Sequence, residues 1–377
     1  MKQVLIITSN HRAAITQLRE LSKIKDIKIF IGLKTTSLSE RIRYHKYLKN
    51  NFFIVKNDVK NFLTEVHNKI GEFILFPNGE GFIREVLKEK KYYENLNIEL
   101  PLPSFEAYRK FSDKYSFQKL CSQYGLNIPK EINPPQNTFT EPFVVKPKIL
   151  ADDKHILRIP MLIENKKAFK KYQKMQLDSE KHFYQQYIKG PSIYYCANYW
   201  KGQKRTWCVQ RNLAQQPNGK SVIKAEPYNL PKEILAKIDK MFIDNNWNGV
   251  MMMELKYSIA DKKFYAIECN PRFWGPLQLA IDNNVNFIKA LLNPSYTSQP
   301  DENAKIGYLW LGGYIKGLLL KIQTKTKFQF FKSEQKKVKY KDVWCRKDTF
   351  LYFIYEILYF IFYESIRTLL NIGKNKS

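Results

Sequence analysis

Two apolar runs, Val250 to Leu255 and Phe264 to Ile267, lead into or contain acids where a buried strand would ordinarily carry apolar side chains. Glu254 lies within Met253-Glu-Leu255, and Glu268 within Ile267-Glu-Cys-Asn-Pro-Arg272. Their separation of fourteen positions suits adjacent antiparallel strands. Strand side chains alternate, so Glu268 and Asn270 share one face. Two carboxylates and an amide oxygen on one face form a hard oxygen set, suited to Mg²⁺ that holds nucleotide phosphates. Arg272, two residues on, would neutralise charge on a transferring phosphoryl group. Three polar residues on a solvent-facing hairpin are the plain alternative. The flanking Val250-Met-Met-Met253 and Tyr265-Ala-Ile267 argue instead for half-buried strands.

The rest of the chain narrows the setting. Its 377 residues leave room for two or three packed subdomains. With 44% hydrophobic and 26% charged residues, it is neither a disordered polymer, a collagen nor a disulfide miniprotein. Five scattered cysteines form no CxxC pair, and five histidines never reach metal-ligand spacing. The run Val4 to Ile7 is too short for the apolar core of a signal peptide and reads as a buried first strand. Reduced thiols and this N-terminus lead to an expectation of a cytoplasmic protein.

Organisation follows from alternation and punctuation. Val4 to Ile7, Ile27 to Ile31, Phe52 to Val55 and Phe73 to Phe76 read as strands separated by polar helical stretches. That alternation predicts an α/β unit with a parallel sheet over residues 1–102. Asn78-Gly-Glu-Gly81 follows the last of these strands and, lacking a GxGxxG pattern, reads as a plain βα turn, with a phosphate- or substrate-facing loop as the alternative. Leu100-Pro-Leu-Pro103 marks a boundary, then one helical stretch is expected from Ser104 to Tyr124, closed by Gly125. Further strands are expected at Phe143 to Pro147, Phe183 to Ile188, Ile193 to Trp200 and Lys204 to Asn212.

These segments, taken in order, resemble an ATP-grasp ligase. The resemblance rests on the E…E-x-N-P-R arrangement, the Val144-Val-Lys-Pro-Lys148 strand, the Gln185-Gln-Tyr-Ile-Lys-Gly190 hinge, and Pro103-Ser104 through Asp113-Lys114 to Gly125-Leu-Asn-Ile-Pro129. It spans roughly residues 1 to 295. It implies a Rossmann-like parallel-sheet domain (1–102) followed by an ATP-grasp domain (103–295), with a small lobe near 112–190 and a large lobe near 191–295. It further implies that Lys114 and Lys146 contact ATP phosphates, with Lys148 a second candidate on the same strand. Gln185 and the backbone of Gln186, Tyr187 and Ile188 would read adenine. Glu254, Glu268 and Asn270 would hold Mg²⁺, two ions in the family pattern with Mn²⁺ as a substitute. Arg272 would stabilise the phosphorylated intermediate. Two departures stand out. Ile149 to His155 contains no glycine where a phosphate-covering loop is expected, leaving Lys154 or His155 as substitutes. Ser192 stands where an acid ordinarily holds the ribose. Arg205 and Arg211 are read as basic groups of which one faces the cleft, Arg211 being placed with the ATP-binding set.

The implied chemistry is transfer of the γ-phosphate of ATP to a carboxylate, then attack by an amine on the acylphosphate. Such a reaction needs positioning and charge neutralisation rather than a covalent nucleophile. Cys269, between two metal ligands, is expected to face away into the core.

The C-terminal region, 296–377, carries the charge. Lysines and arginines total 63 against 35 acids, a formal +28, and Lys316 to Lys347 alone holds eleven basic and two acidic residues. An aromatic stretch follows from Phe350 to Tyr363. As a helix of about 349–370 it is too short to span a bilayer without placing Glu356, Glu364 and Arg367 in the apolar layer. Tyr352, Glu356, Tyr359, Tyr363 and Arg367 form a polar stripe, the pattern of a helix lying on an anionic membrane surface. Packing on the protein body and a homodimer interface are the alternatives. Nucleic acid is not expected, since no recognition motif accompanies the charge. The combined expectation is a peripheral ligase on the inner membrane face, adding an amino acid to a uronic acid of a surface glycan or its lipid-linked precursor. Other candidate functions are a free amino acid or dipeptide ligase, a carbamoyl-phosphate-type ligase, and a nucleotide-binding membrane protein without turnover.

Overall fold

The computed structural model describes residues 1–48, 51–133, 138–148, 160–216, 221–324, 330–335 and 337–364. The chain opens as an α/β unit: β1 (Lys2–Ile7), α1 (His11–Leu21), β2 (Ile27–Leu33), α2 (Leu38–Leu48), β3 (Phe52–Ile54), α3 (Val59–Ile70), β4 (Ile74–Pro77), α4 (Glu80–Lys88) and α5 (Lys90–Asn95). Its four strands pair in parallel in the order β3-β2-β1-β4, as the apolar runs and intervening helices predicted. Local signals start the helices. Asn10 accepts from the Ala13 amide at the head of α1, and Asp58 accepts from the Asn61 amide at the head of α3.

The expected single helix from Ser104 to Tyr124 is two, α6 (Phe105–Ser112) and α7 (Lys114–Gln123). Asp113 takes an extended conformation between them, at φ −71° and ψ 115°. This break starts α7 at Lys114 and leaves that lysine free to turn into the molecule. A three-stranded antiparallel sheet follows, β5 (Phe143–Pro147), β6 (Met161–Ile163) and β7 (His182–Gln186), with α8 (Lys166–Gln173) packed on it.

The largest sheet has seven strands. It contains β8 (Ser192–Trp200), β9 (Gln203–Gln215), β10 (Val222–Pro227), β11 (Gly249–Tyr257) and β12 (Phe264–Asn270), with α9 (Lys232–Asp244) on one face and α10 (Leu277–Asp282) and α11 (Phe287–Leu292) following. The remaining two strands come from beyond residue 295: β13 (Ile306–Leu309) pairs with β10, and β14 (Lys339–Asp342) pairs with β13. Between them runs α12 (Leu311–Thr324); α13 (Phe350–Leu358) follows and continues as a wider π-helical turn, Tyr359–Glu364. The position read as a boundary near 295 therefore falls inside the connection to this sheet.

One apolar core joins three regions. It contains Val4, Ile15 and Leu18 from the first unit, Tyr194, Cys196 and Met252 from the large sheet, and Trp344 and Tyr352 from the C-terminal region. A polar clasp reinforces it: Arg19 on α1 donates to Asp348, Thr349 and Gln278. On the opposite face of the sheet, Ile193, Tyr195, Met251, Met253 and Cys269 pack with α7 and α9. Cys269 is core, as its alternation predicted.

The first part of the polar stripe reverses the orientation expected of a membrane-lying helix, whereas Tyr359 is half-buried and Tyr363 exposed. Tyr352 and Glu356 point into the protein, where Arg43 donates to the Tyr352 hydroxyl at 2.6 Å and the Trp310 indole donates to Glu356 at 3.0 Å. Leu351, Ile354, Leu358, Ile361 and Phe362 are exposed. The buried arginine and indole offer polar partners that Tyr352 and Glu356 satisfy, with Phe360 buried beyond them, so Leu351, Ile354 and Leu358 are left facing out. Arg367 and the end of the expected helix lie outside the described residues.

Candidate active site

The hairpin β11–β12 sets Glu254 directly opposite Glu268 and Met252 opposite Asn270, so the two acids and the amide share a face. From the first turn of α7, Lys114 Nζ donates to Glu268 Oε2 at 2.5 Å. Asn270 Nδ2 donates to the other Glu268 oxygen at 2.9 Å, and Arg272 Nη2 donates to Asn270 Oδ1 at 3.2 Å. Ser192 Oγ donates to Glu254 Oε1 at 2.7 Å. On β5, Lys146 is buried and donates to the Ile267 carbonyl at 3.2 Å. Two lobes and a helix break thus bring Lys114, Lys146, Ser192, Glu254, Glu268, Asn270 and Arg272 together.

Electrostatics follow from that packing. Burial alone would raise the Glu268 carboxyl, but Lys114 and the Asn270 amide outweigh it and hold it at about 2. Glu254 goes the other way: burial first, then the facing Glu268 charge, lift it above the usual carboxylate range. Lys146 is brought down to about 8 by burial and by neighbouring Lys114. Burial also disfavours the Lys114 ammonium, yet contact with Glu268 prevails and raises its pKa. Two facing carboxylates, one of them destabilised by the other's charge, are the arrangement a divalent cation would relieve. The oxygen-only donor set fits Mg²⁺. Among the described residues, no larger group of acids, histidines and cysteines gathers elsewhere.

The hinge is tied to the same centre through a residue that sequence reasoning missed. Gln118 on α7 donates to the Ala266 and Ile267 carbonyls and accepts from Gln185 Nε2 at 3.1 Å. Gln185 is buried and its side-chain oxygen has no partner. Gln186 is exposed and its backbone amide donates to the Lys130 carbonyl, so that amide is already engaged. Tyr187 is half-buried and Ile188 buried beside it. At Gly190 an added Cβ would lie 1.8 Å from the Tyr257 carbonyl oxygen. Only glycine permits that approach of hinge to sheet. Lys148 lies over the Tyr115 ring, 5.5 Å from its centre. Lys256, also missed, donates to the Gly190 carbonyl. Its signal was available: it stands two residues beyond Glu254 on one strand.

Arg211 is not brought to this site. It pairs with Ile193, whose face packs on α9, and its guanidinium meets Glu334. The neighbours Gln210 and Asn212 occupy the site face instead. Gln210 accepts from the Trp274 indole at 3.1 Å and donates to Asn212 at 2.9 Å. Strand alternation is the reason, because a residue one position off points to the other face. Arg205 donates to Gln203 near the β8–β9 turn, also outside the cleft. The glycine-free segment with Lys154 and His155 lies outside the described residues.

Beside the carboxylates opens a cavity of about 770 Å³, walled by Asn78, Gly79 and Glu80 from the first unit, Tyr194, Met252 and Arg272 from the large sheet, and Trp310, Trp344 and Glu356 from the C-terminal region. Asn78, Gly79 and Glu80 are thus part of a cavity wall as well as of a βα turn.

No family model matches the sequence, and no curated protein matches it by sequence; its likeness to known proteins is structural. The biotin carboxylase domain of Hydrogenobacter thermophilus 2-oxoglutarate carboxylase, solved with MgADP, ADP and bicarbonate, superposes with a TM-score of 0.58 at 14% identity, over 77% of this chain and 68% of that one. The L-amino acid ligase of Bacillus licheniformis gives 0.55 at 15% identity, over 78% and 73%. An ATP-grasp superfamily protein from Archaeoglobus fulgidus gives 0.50 at 13% identity, over 80% and 90%. The chain has the ATP-grasp fold, as its motif order implied.

Proposed function

We propose that this protein is an ATP- and Mg²⁺-dependent carboxylate–amine ligase. The observation that carries the reading is the Glu254–Glu268 pair, bracketed by Lys114, Lys146 and Arg272 on one face of the hairpin. A substrate carboxylate oxygen attacks the γ-phosphorus of ATP, the bond to ADP breaks, and an acylphosphate forms. An amine then attacks the acyl carbon, phosphate leaves, and the amine proton passes to solvent. The products are an amide, ADP and phosphate.

Glu254, Glu268 and Asn270 would hold the metal, one or two ions, which neutralise phosphate charge and align the reacting oxygens. Lys114 exchanges its carboxylate partner for a phosphate oxygen when nucleotide enters, and Lys146 supports it from β5. Arg272 donates to the transferring group. Gln185, with its unpartnered oxygen, accepts from the adenine amino group; the backbone from Gln186 to Ile188 lines that edge. Ser192 is positioned by Glu254 beside the hinge. Of the similar solved structures, one holds bicarbonate together with MgADP and another is an L-amino acid ligase, which supports the reaction class proposed here. The division into a first unit (1–102), an ATP-grasp domain (103–295) and a C-terminal region (296–377) is retained as a working scheme.

The acceptor we propose is a uronic acid of a surface glycan or of its lipid-linked precursor, handled at an anionic membrane surface. Support comes from the exposed apolar residues of α13 and its continuation, and from Lys316 of α12, which lies 5.9 Å from the centre of the Phe360 ring. Among the described residues, no helix is long and apolar enough to cross a membrane. The reaction is tested by ADP release with Mg²⁺ across crossed panels of carboxylates and amines. Release that requires one member of each panel and vanishes in Glu268→Gln supports the ligase. If no pair stimulates release in a chain that binds Mg·ADP, the ligase reading is wrong.

A further inference from the structure

The carboxyl ends of β1 and β4 carry two charged side chains that the phosphoryl-transfer centre leaves unused. In the order β3-β2-β1-β4, the chain runs outward from β1 through β2 and β3, then returns to the other side of β1. The crevice beyond such a reversal is where open parallel sheets bind ligands. Ile7 pairs with Pro77 across it, so Ser9 to Arg12 and Asn78 to Glu80 leave the sheet side by side. Both segments line the cavity of about 770 Å³. Their closeness shows at Gly79, where an added Cβ would collide with Ser9.

Glu80 and Arg12 are open charges on that lining. Glu80 is half-buried; its carboxylate has no hydrogen bond or ion pair among the described residues, and neither oxygen is shut off from solvent. Arg12 spends Nη1 on the Val222 carbonyl and the Tyr308 hydroxyl, which leaves Nε and Nη2 without partners and open. Its guanidinium lies 4.1 Å from the centre of the Trp310 ring, which supports its plane. By contrast, His11 is bonded to the Tyr44 hydroxyl, and Glu356 to the Trp310 indole.

The two charges stand at different ends. Glu80 is at the reaction end. The Tyr108 hydroxyl donates to its carbonyl at 3.3 Å; burial and then the Glu80 charge raise that phenol, and Arg272 acts against them. The Lys114 ammonium, which burial disfavours, is kept charged first by Glu268 and then by Glu80. Glu80 is nonetheless no ligand of the metal pair, because no three acids, histidines or cysteines gather among the described residues. Arg12 bonds to β10 and to Tyr308 of β13, on the far side of β8 and β9 from the carboxylate hairpin. We propose that this crevice binds the amine substrate as a zwitterionic amino-carboxylate, its ammonium on Glu80 beside Arg272 and its carboxylate on Arg12. An open carboxylate meets an ammonium, and a guanidinium fork meets a carboxylate, by charge-assisted hydrogen bonds. The inference rests on the ligase reading and deepens it by naming the class of the amine and the end that reacts. The nitrogen, rather than the carboxylate, faces the phosphoryl-transfer centre. The cavity volume leaves room beside it for the acyl group.

The test uses the full chain with Mg·ADP and no turnover, binding being read by calorimetry. The probes, added singly, are the common L-amino acids and the unbranched series from glycine through γ-aminobutyrate to ε-aminocaproate. At least one is expected to bind, with its N-acetyl derivative and its carboxamide each weaker by about tenfold or more. Glu80→Gln should erase the preference over the N-acetyl derivative, and Arg12→Gln the preference over the carboxamide. Mg·ADP affinity should stay within about twofold in both variants. The Glu80 carboxylate has no partner to lose, so Glu80→Gln decides the matter if Arg12→Gln fails to fold. The inference is overturned if no probe binds, if the N-acetyl derivative binds as tightly as its parent amine, or if Glu80→Gln keeps the parent's selectivity. Exchanged roles, with Glu80→Gln erasing the carboxamide preference instead, overturn the orientation. Those failures with Mg·ADP still bound leave the ligase reading standing; loss of Mg·ADP binding by the parent chain sinks that reading instead.

Discussion

Glu268 on β12 and Glu356 on α13 are both carboxylates turned inward, yet their surroundings drive them in opposite directions. Glu268 is met by the Lys114 ammonium and the Asn270 amide, and its pKa falls to about 2. Glu356 is met by an indole N–H and a phenol, and burial lifts it to about 7. The first remains a charge available to a cation. The second serves chiefly as a hydrogen-bond acceptor that aligns an aromatic wall. A buried acid therefore takes its role from the formal charge of its partners rather than from depth alone.

Breaking the Glu268 side of that contrast has the largest expected effect. Glu268→Gln keeps the shape but removes the charge and one of the two acceptor oxygens, and ADP release should fall by about a thousandfold or more. Retained activity within tenfold would remove Glu268 from the metal-binding set. Lys114→Met probes the same pair from the other end. It leaves Glu268 without its cation, so stability in EDTA should drop by about 2 kcal/mol. Added Mg²⁺ should recover part of the melting temperature, because the carboxylate is then open to the metal. No response to Mg²⁺ would break the link between the ion pair and a cation site.

The Glu356 side gives a pH signature. A folded pKa near 7 above the ordinary 4.5 means that the folded state holds more protons between those values. Stability is therefore unpenalised below pH 4.5 and is lost as pH rises through 7, by up to about 3 kcal/mol. Glu356→Gln should abolish that loss, so urea midpoints of variant and parent coincide at pH 4.5 and diverge by pH 8 in favour of the variant. His11 contributes in the opposite sense. Burial and then Arg43 lower it to about 3, so its stabilisation is present above pH 6.5 and fades as pH falls. Subtracting variant from parent cancels that contribution.

The smallest stability effect belongs to the outer side of the same helix. Leu351→Glu with Leu358→Glu changes two exposed positions and should alter folding stability by no more than about 0.5 kcal/mol. Flotation on phosphatidylserine vesicles should nevertheless fall several-fold. Equal flotation of parent and variant would sink the membrane reading. Point substitutions are preferred to a chain ending near Asn303, which would strip β13 and β14 from the large sheet.

The residues that were legible in the sequence carry their signal locally. Alternation placed Glu268 and Asn270 together, and the fourteen-residue spacing placed Glu254 across from them. Helix breaks and the phase of a strand against its neighbours were not legible in the same way. Ser104 to Tyr124 reads as continuous helix, but contacts made by Lys114 with β12 coincide with a break at Asp113. Arg211 looks as available as Gln210 in a basic strand. Its face is chosen by register against β8, a pairing that involves residues far from it in the chain.

The C-terminal third shows the same division. Its basic excess and amphipathic helix follow from residue order alone, and so does the impossibility of a comfortable bilayer span. Which side of that helix faces in depended on Arg43 and Trp310, 309 and 46 residues away from their partners, whose buried donors required oxygen partners. The order and spacing of short-range motifs determined the ATP-grasp fold and the carboxylate set, because strand period and hairpin length act over a few residues. The cavity with its aromatic and cationic walls was decided only by tertiary structure, because three separate stretches must pack before any of it exists.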